Sequence, residues 1–139
     1  MSIILKIGFV GYSDGKFDID KAKEILDKIF TDIAKNNTKV EIVSGATALG
    51  IPKLVYEYAQ KYNYMCTGIM CKDGYNYELY PCDRIFAYGN NWGDESPIFI
   101  NYIDVLYKIG GGKQSQKEIE MAKDANKQVY EYDLAFPGK

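Results

Sequence analysis

The segment from Gly110 to Glu118 carries the densest chemical signal in the chain. Gly110-Gly111-Gly112 removes three side chains in a row, and Lys113-Gln114-Ser115 follows with an ammonium, an amide and a hydroxyl. Three consecutive glycines exceed what a strand-to-helix turn needs and suit close backbone approach to a ligand. A helix starting there would point free N–H groups and a positive dipole end at phosphate or carboxylate. Glu118 has two readings. With Ser115 it forms S-x-x-E, the pattern of a helix capping box. Facing a ligand, the same carboxylate would stabilise an oxocarbenium-like centre or attack it as a nucleophile.

Three further loops supply matching chemistry. Gly11-Tyr12-Ser13-Asp14-Gly15 is turn-rich, and Ser44-Gly45-Ala46-Thr47-Ala48-Leu49-Gly50 is made almost wholly of small residues. Asn90-Asn91-Trp92-Gly93-Asp94-Glu95 holds the only tryptophan. Trp92 would stack on a base or anchor its loop or a subunit contact. Asp94 and Glu95 would bind ribose hydroxyls or form a carboxylate pair with Glu118, with Asp94 the second acid able to protonate a leaving base; charge at the start of the next helix is the favoured reading for Glu95. The candidate ligand-binding residues are therefore Gly11, Tyr12, Ser13, Ser44, Gly45, Ala46, Thr47, Trp92, Gly110, Gly111, Gly112, Lys113, Gln114 and Ser115. Glu118 and Asp94 are catalytic candidates if the protein is an enzyme.

Composition narrows the chemistry. The 139 residues contain no histidine, which excludes Ser-His-Asp and Cys-His catalysis and imidazole metal ligation. Arg84 is the only arginine, so a bound phosphate must rest on backbone N–H groups, hydroxyls and lysines. The net charge of −2 argues against a nucleic-acid binder. Cys66, Cys71 and Cys82 match no zinc or redox spacing and read as free thiols of a cytoplasmic protein. No metal site and no cofactor are expected. Met1 to Lys6 is too short for a signal peptide, and no apolar run reaches membrane-spanning length. Nucleotide motifs fail on inspection. Five residues before the Gly-Lys pairs at Gly15, Gly112 and Gly138 stand Val10, Tyr107 and Asp133 instead of the glycine of a Walker loop.

The elements that must position these loops alternate strand and helix. Ile3 to Val10 reads as a strand buried on both faces. Asp18 caps a helix with an apolar stripe at Ala22, Ile25, Leu26, Ile29, Phe30 and Ile33, ending at Asn36-Asn37. Lys39 to Val43 is a strand, and Pro52 opens a helix with Leu54, Val55, Tyr58, Ala59 and Tyr62 on one face. Tyr64 to Met70 and Arg84 to Tyr88 are strands, with Lys72 to Pro81 irregular between them. Ser96-Pro97 opens a short helix to Tyr102. Asp104 to Ile109 is a strand, Ser115 to Asn126 a helix and Gln128 to Tyr132 the last strand. The pattern predicts one α/β domain over residues 1–139, a Rossmann-like three-layer sandwich with a mainly parallel sheet and the first strand central. Thirteen tyrosines, with Tyr75 to Tyr80, Phe99 and Tyr102 beyond what one small core holds, predict a homodimer or higher oligomer.

Two loops carry a resemblance. Val43-Ser44-Gly45-Ala46-Thr47-Ala48-Leu49-Gly50-Ile51 resembles the V-S-G-x-A-x-G-I-D entry of the DNA-processing protein A group, with Pro52 at the position of its Asp. Gly111-Gly112-Lys113-Gln114-Ser115-Gln116-Lys117-Glu118 is similar to the G-G-x-G-T-x-x-E motif of the Lonely-Guy phosphoribohydrolases, with Gln114 for Gly and Ser115 for Thr. Arg84 does not match the catalytic arginine of those enzymes. Both groups belong to the Rossmann-like SLOG superfamily. The resemblance implies a nucleotide-derived small molecule, such as an ADP-ribose-type ligand, bound without catalysis. The alternative it implies is an enzyme acting at an N-glycosidic bond, of the phosphoribohydrolase or nucleoside deoxyribosyltransferase type.

Overall fold

A computed structural model of the chain describes residues 4–13, 16–36 and 39–135. The expectations that fall on Ile3, Asp14, Gly15, Asn37 and Gly138 lie outside the described residues. The elements run β1 (Leu5–Gly11), α1 (Ile19–Asn36), β2 (Val40–Ser44), α2 (Gly50–Lys61), β3 (Met65–Met70), a 3-10 turn (Lys72–Asn76) and β4 (Arg84–Ala87). Then follow α3 (Ser96–Tyr102), β5 (Val105–Ile109), α4 (Lys113–Asp124) and β6 (Gln128–Tyr132).

The strands form one six-stranded sheet in the order β4-β3-β2-β1-β5-β6, and every pair is parallel. Parallel strands covered on both faces need apolar residues at consecutive positions, and β2 buries all five of its residues. In β1 that burial splits between layers: Phe9 packs with α1 and α2, and Val10 with α3 and α4. The result is the expected Rossmann-like three-layer α/β sandwich, with β1 inside the sheet.

Local signals behave as the residue types require. Asp18 Oδ1 accepts from the Lys21 N–H at 3.0 Å, which caps α1. The six apolar positions read from its period are the six it buries. A Cβ at Gly11 would lie 2.4 Å from the Ile109 carbonyl oxygen and 2.7 Å from Ile51, so only glycine lets β1 end against both β5 and α2.

Part of the aromatic surplus is absorbed inside the chain. Tyr80 stacks on the buried Tyr56 at 5.2 Å, and Phe99 is buried beneath α3. Tyr102 joins Arg84 on the buried Glu41: its hydroxyl and the Arg84 guanidinium both donate to Glu41 Oε2, as does Thr67 Oγ1 at 2.7 Å. Of the aromatic residues expected to form a subunit contact, Tyr75 and Tyr77 stay exposed, while Tyr80, Phe99 and Tyr102 serve the fold. The cysteines are free. Burial pushes the Cys66 thiol up to about 12 and Cys82 up to about 11, far from reactive thiolate character. No helix among the described residues is long and apolar enough to cross a membrane.

Candidate functional site

The chain builds outward from β1 through β2 and β3 to β4. α3 then returns it to the other side of β1, where β5 and β6 follow. The order therefore reverses between β1 and β5, and the carboxyl ends of those strands part to leave a crevice. A cleft of about 770 Å³ lies there. It takes Gly11, Tyr12 and Ser13 from the end of β1, and Ser44, Gly45 and Thr47 from the end of β2. Gly111, Gly112, Lys113, Gln114, Ser115 and Glu118 line it from the β5–α4 side, and Trp92 from the loop before α3.

Three sequence candidates fall elsewhere. Ala46 is buried away from the cleft, where it would touch any side chain placed at Gly68. Gly110 is buried with φ +62, and a Cβ there would lie 2.4 Å from the Tyr12 ring, so it serves the turn. Asp94 lies outside the cleft lining, and its Oδ2 accepts from the N–H groups of Asn90 and Asn91 at 3.0 Å each. These bonds commit it to organising its own loop.

The capping box does not form. α4 begins three residues earlier than the S-x-x-E pattern implies, with Gly112 at the N-cap and no side-chain cap. Ser115 then sits in the first turn, its hydroxyl directed to the Gly11 carbonyl at 3.4 Å, and Glu118 falls in the second turn. The first N–H groups of α4 have no partner within the helix. Gly111, at φ +108, holds the turn that aims them, and a Cβ at Gly112 would meet nothing within 4 Å. The start of α2 differs. The Ile51 N–H donates to the Tyr12 carbonyl at 2.9 Å, and Pro52 has no N–H to offer. The neighbouring Gly45–Ala48 loop is paired with residues 78–80, through Ala48 N–H to Glu78 and Tyr80 N–H to Ala46. Of the two helix starts expected to hold a phosphate, α4 is the open one.

Ser44 lines the cleft, but its hydroxyl donates to the Phe9 carbonyl at 2.8 Å. Tyr12 donates to the Leu134 carbonyl at 3.0 Å, which ties the cleft loop to the segment after β6. Trp92 is anchored and cleft-lining at once. Its Nε1–H donates to Asp73 Oδ2 at 2.7 Å, and its ring meets Tyr77 edge-on at 5.7 Å. Sequence reasoning missed Tyr77, Leu49 and Ile69 on the apolar side of the cleft, and it ranked a pairing of Glu95 with Glu118 below a helix-end charge. Glu95 is buried, not a solvated helix-end charge, because the backbone turns at Gly93 (φ +102) and hands its N–H to Glu95 Oε1 at 2.9 Å.

Glu95 and Glu118 thus share one wall. Ser96 Oγ donates to Glu118 Oε2 at 2.7 Å, and Gln114 Nε2 donates to Glu95 Oε2 at 3.3 Å. Burial pushes Glu118 from 4.5 up to about 7; Ser96 and Gln114 pull it down, and the neighbouring Glu95 charge adds to the rise. Arg84 stands at the opposite, amino-terminal end of the strands, spent on Glu41 at 3.1 Å. Among the described residues no group of three or more His, Cys, Asp or Glu side chains could hold a metal ion.

No protein-family model and no curated protein matches the sequence. Solved structures do resemble the chain. The molybdenum cofactor carrier protein of Chlamydomonas reinhardtii superposes with a TM-score of 0.76 at 16% identity, covering 94% of this chain and 76% of its own. The molybdenum cofactor binding protein of the phototrophic bacterium Rippkaea orientalis gives 0.76 at 17% identity, covering 96% and 78%. A structural-genomics protein designated TM1055 gives 0.74 at 22% identity, covering 90% and 72%. These likenesses establish the fold.

Proposed function

We propose that the chain binds a nucleotide-derived small molecule in this cleft and does not turn it over. The observation that carries the reading is the open, uncapped start of α4 at the point where strand order reverses. Its N–H groups, with Lys113 and Ser13 beside them, suit a phosphate. Trp92, Tyr77 and Leu49 offer a partly exposed apolar face to a ring. An ADP-ribose-type molecule carries both chemical groups, as the SLOG-like loops imply. The named molybdenum cofactor proteins of the same fold are a precedent for a carrier or sequestering role, and make that cofactor a second probe. We assign residues 1–139 to one SLOG-type domain of a cytoplasmic protein, with homo-oligomer formation through Tyr75 and Tyr77 to be read from its mass in solution.

One observation favours an enzyme acting at an N-glycosidic bond: Glu118, pushed up to about 7 and lining the cleft, would exchange protons at neutral pH. The acid expected to assist it, Asp94, is committed to Asn90 and Asn91. Binding without turnover is therefore the stronger reading.

The test is to denature the purified protein and identify what it releases by mass spectrometry, with elemental analysis for molybdenum. A phosphorylated nucleotide derivative released intact supports the reading. Free base and ribose phosphate after incubation with nucleotides would support the enzyme instead, and release of molybdenum would redirect the ligand assignment.

A further inference from the structure

The acidic wall of the cleft bears on which ring is bound. Glu95 and Glu118 are each 6% exposed, and both line the cavity. Above pH 8, past the value of about 7 to which burial raises Glu118, its ionised carboxylate only accepts hydrogen bonds. The planar NH2 of Gln114 fills this role for Glu95, at a long 3.3 Å, and the Ser96 hydroxyl takes one oxygen of Glu118 at 2.7 Å. Gln114 is an exposed side chain on a long bond, so a ligand with the same donor geometry displaces it. Trp92 is not a competing donor, because its N–H is held by Asp73. The phosphate-facing donors lie at the start of α4, one turn away from this wall.

We propose that the cleft selects a guanine-type ring over an adenine-type ring, through ring N–H donors that displace Gln114 and meet the carboxyl groups of Glu95 and Glu118. The inference rests on the binding reading above and narrows its ligand. Guanine presents N1–H and the 2-amino group side by side, two donors for two acceptors. Adenine presents one amino group beside the bare N1 lone pair, which an ionised carboxylate repels. A buried site built to accept hydrogen bonds discriminates strongly against a ring that leaves its acceptors unmatched.

Calorimetric titration of the full chain with GMP, IMP and AMP at pH 8.5, where Glu118 is ionised, tests this. GMP is expected to bind at least tenfold more tightly than AMP, with IMP between them because it keeps N1–H and lacks the 2-amino group. Glu95→Gln or Glu118→Gln should bring GMP and AMP to within threefold of each other, since an amide in either place supplies a donor where an acceptor stood. AMP binding as tightly as GMP, or a GMP preference that survives both substitutions, would overturn the ring assignment and leave the binding reading standing. No binding of any of the three at millimolar concentration would overturn both.

Discussion

The Ser96 hydroxyl donates to Glu118 Oε2 across 2.7 Å, joining the first residue of α3 to the second turn of α4 beneath the cleft. This bond opposes the burial that raises Glu118 to about 7. The consequence for stability has a definite sign. Below about 4.5 the carboxyl is protonated in both folded and unfolded chains. Between 4.5 and about 7 the unfolded chain ionises it while the folded chain keeps its proton, so stability falls as pH rises through that window and then levels. The displacement corresponds to about 3 kcal/mol. Glu118→Gln keeps an acceptor for Ser96 and removes the titration. It should stabilise the fold by about 1–3 kcal/mol at pH 8 and change little at pH 4, as read by urea unfolding. Equal effects at both pH values would show that Glu118 does not titrate in this way.

Gly111 and Gly112 are adjacent and should respond in opposite ways to alanine. A Cβ at Gly111 would lie 2.6 Å from Ser115 Oγ at φ +108, and Gly111→Ala should cost about 2 kcal/mol or more. A Cβ at Gly112 meets nothing within 4 Å, and Gly112→Ala should cost under about 1 kcal/mol. Thermal unfolding of the two variants decides it.

Trp92 is the only tryptophan, and its indole lines the cleft. Occupation of the cleft should therefore change the intrinsic fluorescence of the protein in a saturable way. Trp92→Phe loses the 2.7 Å bond to Asp73 and part of the stacking face. It should weaken ligand binding by about tenfold, or 1.4 kcal/mol, with unfolding nearly unchanged. Ligand binding without a fluorescence response would place the ring elsewhere.

Arg84 should behave as a structural residue. Arg84→Met leaves the buried Glu41 with Thr67 and Tyr102 as its remaining donors. The guanidinium is about half exposed, so we expect a loss of about 1–2 kcal/mol, less than for a fully buried pair. Ligand affinity should stay the same, because the pair sits at the opposite end of the strands from the cleft. A tenfold loss of affinity would reopen a role for Arg84 at the site.

Much of this architecture is legible in local residue pattern. The 3.6-residue period of α1 names its buried face, and Gln128 to Tyr132 is read as a strand with its observed ends. The loops that meet at the cleft follow from strand order, because crevices form where that order reverses. What the pattern leaves out depends on contacts between distant segments. Glu95 looks like a solvated charge beside a helix start until the turn at Gly93 buries it against Gln114. Ser115 and Glu118 match a capping box letter for letter, yet the glycines before them let α4 start three residues earlier. Tyr77 lies in a stretch with no period, and only its edge-on contact with Trp92 places it at the cleft.

In the proposed reading the start of α4 holds the phosphate of a nucleotide-derived ligand that is bound and not consumed. The most direct measurement is calorimetric titration of wild type and Gly112→Val with GMP and ADP-ribose, followed by chromatography of the recovered nucleotide. Valine at this position projects into the open cleft and meets no protein atom within 4 Å at its Cβ. Wild type should bind at least one of the two ligands and return it intact. Gly112→Val should bind that ligand at least tenfold more weakly, about 1.4 kcal/mol, with an unchanged unfolding midpoint. Equal affinity in the two proteins would place the phosphate elsewhere, and recovery of free base would show that the cleft is an active site.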